Sequence, residues 1–250
     1  MPAEHGSWSL VTEPILLGLL AAPTWAGLAL AVAAFAVFLF NRPFKVYWND
    51  RRRGRAYERT ALARRFWLLY GSMALAFAAV AFAIVGWRPF VPFLAAAPLL
   101  LVFAYHDQRP GRHWQAELAA PAAFASVTAA VALAGGWAWG PALALWGFMI
   151  ARAVPAVLFI RARLRLDKEK PAPVAGVLLA HLTALAGVTL LYLGHLLPAT
   201  AVLAALILLA RAGWGLSPYR RRSSAKALGF LETGYGLLTV FLVALGIWLS

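Results

Sequence analysis

Six stretches of the chain contain no Asp, Glu, Lys or Arg: Pro14–Asn41, Phe66–Trp87, Pro89–His106, Leu118–Ala151, Pro171–Ala210 and Thr233–Ser250. A helix needs about 20 mostly apolar residues to cross the hydrocarbon core of a bilayer. Three of the six stretches are longer than one crossing and carry internal breakers. Ala21-Ala22-Pro23-Thr24 divides the first, Gly135-Gly136 followed by Gly140-Pro141 divides the fourth, and His195 to Pro198 divides the fifth. Gly and Pro at such points mark turns between helices. The pattern predicts an all-α, polytopic transmembrane helical bundle of about nine spans in a single domain, 1–250. The spans are expected at about 9–22, 24–41, 62–86, 90–106, 116–134, 138–160, 173–195, 198–212 and 227–249. The first is short and holds Glu13 and Pro14. If it fuses with the second as one kinked helix, the count is eight. Ten-residue stretches of alternating polarity are absent, so a transmembrane β-barrel is not expected.

Composition points the same way. Of 250 residues, 63% are hydrophobic and 13% charged, against about 45–50% and about 25% in soluble domains. With no cysteine, disulfides, thiolate metal sites and cysteine nucleophiles are excluded. The net charge is +14. In a soluble chain that excess would suggest nucleic acid; here it sorts by loop. Nine Lys/Arg fall in 42–65, two in 109–112, six in 152–170 and five in 211–226, so that only Arg88 of the 23 lies on the opposite predicted face. The positive-inside rule then puts these loops in the cytoplasm of a bacterial-type inner membrane, with the N-terminus inside and the C-terminus outside. Trp25, Trp87, Trp137, Trp139 and Trp248 sit near predicted outer ends, as an aromatic belt does. The opening Met1-Pro2-Ala3-Glu4-His5 has no basic region before a short apolar core, and is not expected to be a cleaved signal peptide.

Against that background a few polar residues stand out. An ionisable side chain inside a span is costly and faces the bundle interior or a watery cavity. Glu13 and Arg152 meet that description, with Pro155 placed to kink the helix beside Arg152. On a helix, His5, Ser9 and Glu13 share one face, with Glu4 positioned to complement the helix dipole. The run Asn49-Asp50-Arg51-Arg52-Arg53-Gly54-Arg55-Ala56-Tyr57-Glu58-Arg59, if helical, places Arg51, Arg55 and Arg59 in one row. Arginine suits phosphate and carboxylate because its planar fork meets two oxygens at once; the plainer reading is a topology signal touching anionic headgroups. Arg161 and Arg165 share a helix face before Lys170, and the plainer reading is a solvated helix end. Glu117 sits in a cytoplasmic turn with His106, Asp107 and His113. Lys226 and Glu232 enter the last span, where Gly229, Thr233 and Gly236 form a small-residue packing face. His181 and His195 read as packing residues. No H-x-x-x-H or H-E-x-x-H spacing is present, and no P-loop, G-x-G-x-x-G or G-x-S-x-G. No metal and no cofactor are expected.

The opening Glu4-His5-Gly6-Ser7-Trp8 resembles the E-H-G-x-W start of the YwiC-like membrane proteins. The likeness continues through Arg51 to Tyr57, Glu117, the Arg161 to Lys170 loop and Ala225 to Glu232. A more distant likeness is to the UbiA-type prenyltransferases, which implies a UbiA-like layout. In that family two acidic motifs, after helices two and six, hold Mg²⁺ on a prenyl diphosphate. Asn49-Asp50 fit the start of N-D-x-x-D-x-x-x-D, but Arg53 and Tyr57 replace the later aspartates. Arg161 and Arg165 stand at the spacing of the second motif, D-x-x-x-D. Metal-bridged ionisation of a diphosphate is therefore not implied, whereas direct grip of an anion by arginine is.

The sequence-based expectation is a membrane protein in contact with lipid that binds an anionic, amphipathic, isoprenoid-like ligand in a cytoplasm-facing cavity. If it is an enzyme, it is a UbiA-like transferase with altered motifs. The expected binding set is Glu4, His5, Glu13, Asn49, Asp50, Arg51, Arg52, Arg55, Tyr57, Glu117, Arg152, Arg161, Arg165, Lys226 and Glu232. The competing classes are a small-anion transporter and a non-catalytic assembly partner of a membrane respiratory complex. Nucleic acid is not an expected partner, and no protein partner is named by the sequence.

Overall fold

The computed structural model describes residues 6–54, 57–107 and 113–250. It consists of ten α-helices: α1 Gly6–Ala21, α2 Trp25–Arg52, α3 Glu58–Val85, α4 Val91–Asp107, α5 Trp114–Phe124, α6 Ser126–Ala134, α7 Trp139–Asp167, α8 Val174–Leu193, α9 Ala199–Leu216 and α10 Ala225–Leu249. A 3₁₀ turn, Arg88–Phe90, leads into α4. No strand occurs among the described residues. Helix is the default in lipid because it satisfies its own backbone groups within one segment. Among the described residues, eight helical stretches are long and apolar enough to cross a membrane; α5 and α6 act as one, Trp114–Ala134. The chain is an integral membrane protein.

Local chemistry sets the boundaries. Thr24 caps α2 by accepting from the Gly27 N–H at 3.0 Å, and Ser224 caps α10 by accepting from Ala227 at 3.1 Å, each satisfying an N–H that the helix itself leaves unpaired. Ala22, Pro23 and Thr24 separate α1 from α2, so the first two apolar runs form two helices. Between α5 and α6 the chain breaks at Ala125, four residues after Pro121. Beside that break the Trp146 indole donates to the Ala122 carbonyl at 3.0 Å. Several helices continue past the expected spans: α2 runs to Arg52 and α7 to Asp167. Their charged ends extend beyond the apolar stretch instead of forming loops.

Every residue of α6 is buried, and this helix is the inner post of the bundle. α1 packs on it and on α10, with Leu17 fully buried. The closeness of α1 and α6 depends on Gly18: a Cβ there would lie 2.9 Å from Val131 Cβ. Small residues do this in membranes because they let backbones approach where no aqueous hydrophobic force drives association. At sixteen residues α1 is about 24 Å long, shorter than a ~30 Å hydrocarbon core. It is anchored at its C-terminal end, where the Trp248 indole of α10 donates to the Leu20 carbonyl at 2.7 Å. The outer layer differs: α3, α4 and α8 are largely exposed along their apolar windows, as lipid-facing helices are. Replacing Gly18 with Leu is expected to lower stability by about 1–3 kcal/mol through overpacking. Thermal unfolding of the detergent-solubilised variant against wild type checks this.

Candidate functional site

Four charged side chains from four helices meet inside the bundle. Arg152 lies near the middle of α7, about 20 Å along the helix from either end at 1.5 Å per residue. Its Nη2 donates to Glu13 Oε1 of α1 at 3.0 Å and to the Glu232 backbone carbonyl of α10 at 3.1 Å. The Arg152 and Glu13 side chains are each 1% exposed. Beside them Arg211 of α9 pairs with Glu232 at 2.9 Å, with exposures of 4% and 3%. Arg211 also lies over the Phe159 ring, 4.1 Å from its centroid, with Tyr235 on another side at 5.6 Å. His181 of α8 completes the surroundings, close enough to feel both arginines. Its Nδ1 is 2.9 Å from the Val177 carbonyl, which assigns Nδ1 as the donor.

The geometry follows from small residues placed opposite large charged ones. Gly236, one turn beyond Glu232, is buried, and a Cβ there would overlap the Glu13 carboxylate and crowd Arg152. Glu13 thus rests on bare α10 backbone and takes a second hydrogen bond from Ser9 on its own helix. Gly215 does the same for Phe159, whose ring would be 2.7 Å from a Cβ at that position.

The cluster is balanced in charge, two guanidinium groups against two carboxylates, but not in hydrogen bonds. Arg152 Nε and Nη1 make no hydrogen bond among the described residues, nor does any nitrogen of Arg211, either carboxylate oxygen of Glu232 or Oε2 of Glu13. The two free nitrogens of Arg152 carry three N–H donors. A cleft of about 20 Å³ opens beside them, lined by Ser9, Leu10, Arg152, Ala156, Val157, Ile160 and Glu232. That volume suits one water. Its outer wall, Leu10, Val157 and Ile160, is half-buried, so the cleft is a seam between α1 and α7 with an apolar mouth and a charged floor.

The other expected residues form separate ties at the charged ends of the helices. Asp50 accepts from Arg59 Nε at 3.2 Å, Arg59 Nη2 at 3.0 Å and Thr60 Oγ1 at 2.8 Å, clasping α2 to α3. Arg59 in turn stacks 4.8 Å over Tyr57. Asn49 and Arg51 are exposed, and Arg52 lies over Trp48 at 5.3 Å. Glu117 and Arg161 form an ion pair between α5 and α7. Arg165 donates to the Pro171 carbonyl at 2.7 Å, closing its own loop. Lys226 is exposed in the first turn of α10. Glu4, His5 and Arg55 lie outside the described residues. Of the expected set, the structure brings Glu13, Arg152 and Glu232 together.

Arg211 is the residue that sequence reasoning placed elsewhere, as a loop cation. Its signal was in the flanks: Leu208-Leu209-Ala210 precede it, and Ala212-Gly213-Trp214-Gly215-Leu216 continue the apolar run.

Removing one partner of a buried pair strands the other charge, which costs about 3–5 kcal/mol. Glu13→Ala is expected to lose that much stability. The double variant Glu13→Ala/Arg152→Ala is expected to lose less than the two singles summed, because the stranded charge is gone. Unfolding of all four proteins in one detergent measures the coupling.

No curated protein and no solved structure matches the chain. The family model described as YwiC-like protein matches residues 1–132. This stretch contains Glu13, Asp50 and Glu117 and ends before Arg152, Arg211 and Glu232. Covering more than half of the sequence, the match shows that the chain belongs to the YwiC-like protein family.

Proposed function

We propose that this YwiC-like membrane protein binds an anionic amphiphile, lipid or isoprenoid-like, with its head group at Arg152 and its tail in the seam between α1 and α7. The observation that carries the reading is the Arg152 edge of the cleft. A buried guanidinium with three N–H groups that make no hydrogen bond among the described residues stands at the floor of an apolar seam. Charge-assisted bonds from arginine to a carboxylate or phosphate are among the strongest available, and a desolvated site strengthens them further. An apolar wall with a few converging polar groups is the ordinary make-up of a ligand site. The head group enters by widening the seam, since the cleft at rest has the volume of a water. Transferase chemistry in the UbiA manner has no such support: Asp50 is engaged by Arg59 and Thr60, and Arg161 by Glu117.

The orientation belongs to the same proposal. The basic loops face the cytoplasm of a bacterial-type inner membrane, the N-terminus is inside and the C-terminus outside. The one-sided distribution of Lys and Arg supports this.

Mass spectrometry of lipids retained by the purified protein tests the binding reading. One anionic lipid class is expected to be enriched over the bulk extract. Arg152→Ala should lose it, and so should Val157→Trp, which fills the seam without touching the charges. Equal lipid profiles in wild type and Val157→Trp, with the fold intact, contradict it. The natural absence of cysteine makes the orientation easy to check. In intact cells Ser250→Cys should react with an impermeant maleimide, and Ser223→Cys should react only after lysis.

A further inference from the structure

The buried cluster holds two cations and two anions, so it has no net charge to offer an incoming anion. Adding one leaves an uncompensated negative charge in the bundle, a state that low-dielectric surroundings penalise heavily. Two features of the cleft show where the balance is restored. Arg152 and Glu232 both line it, and the Glu232 carboxylate is close enough to feel the Arg152 charge, so an anion at the free nitrogens of Arg152 comes near that carboxylate. Glu13 is more engaged: its Oε1 accepts from Arg152, it takes a hydrogen bond from Ser9 and it rests on Gly236, so that Oε2 alone is without a hydrogen bond among the described residues.

We propose that an anion binds beside Arg152 only together with one proton, taken up by Glu232. This rests on the reading that the seam receives an anionic group. The balance closes without any covalent bond changing. Before binding, Arg152 and Arg211 face Glu13 and Glu232 as carboxylates. Afterwards the two arginines face the Glu13 carboxylate and the anion, while Glu232 is a neutral acid whose O–H donates to the anion. The proton comes from water. Both Glu232 oxygens are without a hydrogen bond among the described residues, so protonation breaks none; it gives up only the ion pair to Arg211, whose charge the anion then offsets. The charged and titratable groups around Glu232 are Glu13 from α1, Arg152 from α7, His181 from α8, Arg211 from α9 and Tyr235 on α10 itself. The competing acceptors are Glu13, whose protonation would give up its hydrogen-bonded ion pair to Arg152, and His181, which sits beside both arginines, where a third cation is repelled.

Titration calorimetry of the purified full chain with dodecanesulfonate tests this, because a sulfonate keeps one charge throughout the neutral pH range. Repeating the titration in buffers of different ionisation enthalpy counts protons. About one proton is expected to be taken up per anion bound, and Kd should rise about tenfold per pH unit around neutrality, since proton uptake favours the complex at lower pH. Glu232→Gln should bind the sulfonate with no proton uptake and no pH dependence, and His181→Gln should keep both. Methanesulfonate, which lacks the tail, separates a lipid head group from a free anion; binding with the same proton count supports the proton step from either source. Binding by wild type without proton uptake overturns the inference and leaves the anion site standing. Loss of uptake in His181→Gln overturns the assignment to Glu232. Failure of wild type to bind either sulfonate overturns the anion site itself, and the proton step with it.

Discussion

Arg152 cannot be in this bundle without Glu13. The Arg152 guanidinium is buried, its side chain 1% exposed. Its charge must be met by a partner at the same depth, and that partner is the carboxylate of α1 at 3.0 Å. The position of α1 follows from this pairing. α1 is too short to be held by hydrophobic matching alone, and it is seated by Glu13 in the middle and by the Trp248 bond near its end. Gly236 then follows, because α10 must present bare backbone where the carboxylate lies. Arg211 and Glu232 extend the same logic to α9 and α10. Each of the four charges is tolerable only because the others are present.

Such a cluster is an expensive way to hold helices together. Apolar side chains of similar volume in place of a buried ion pair are often neutral or stabilising. The residues that retain charge here also leave a row of donors and acceptors without a hydrogen bond among the described residues, where an apolar seam reaches them. Structure alone would favour satisfying those atoms within the protein; binding favours leaving them for a ligand. The charged ends of the helices show the contrast. There Asp50, Glu117 and Asp167 are engaged by neighbouring arginines, and the result is a set of loop ties.

The sequence made the bundle legible because charge-free stretches of about 20 residues have few other uses. It also exposed Glu13 and Arg152, since each stands alone in apolar surroundings. Their pairing was not legible. The two residues are 139 positions apart, and no periodicity links residues on different helices. Arg211 was hidden for another reason: it lies near the C-terminal end of its apolar run, shortly before Arg220-Arg221-Arg222, and so reads as part of that basic loop. Asn49 and Asp50 misled in the opposite direction. Their place in the chain resembled an acidic motif, but at a helix end a carboxylate beside Arg59 and Thr60 is sufficiently explained as a clasp. The break at Ala125 needed Trp146, a residue of another helix, to accommodate it.

On the proposed reading, most of the +14 net charge reports orientation, and binding rests on two of the 23 basic residues. The most direct measurement is a cryo-electron microscopy map of the protein in nanodiscs of its native lipids. The account predicts density for a head group against Nε and Nη1 of Arg152, with its tail leaving between Leu10 and Val157. A seam closed by protein side chains, with those nitrogens bonded only to protein or water in every particle class, would contradict it.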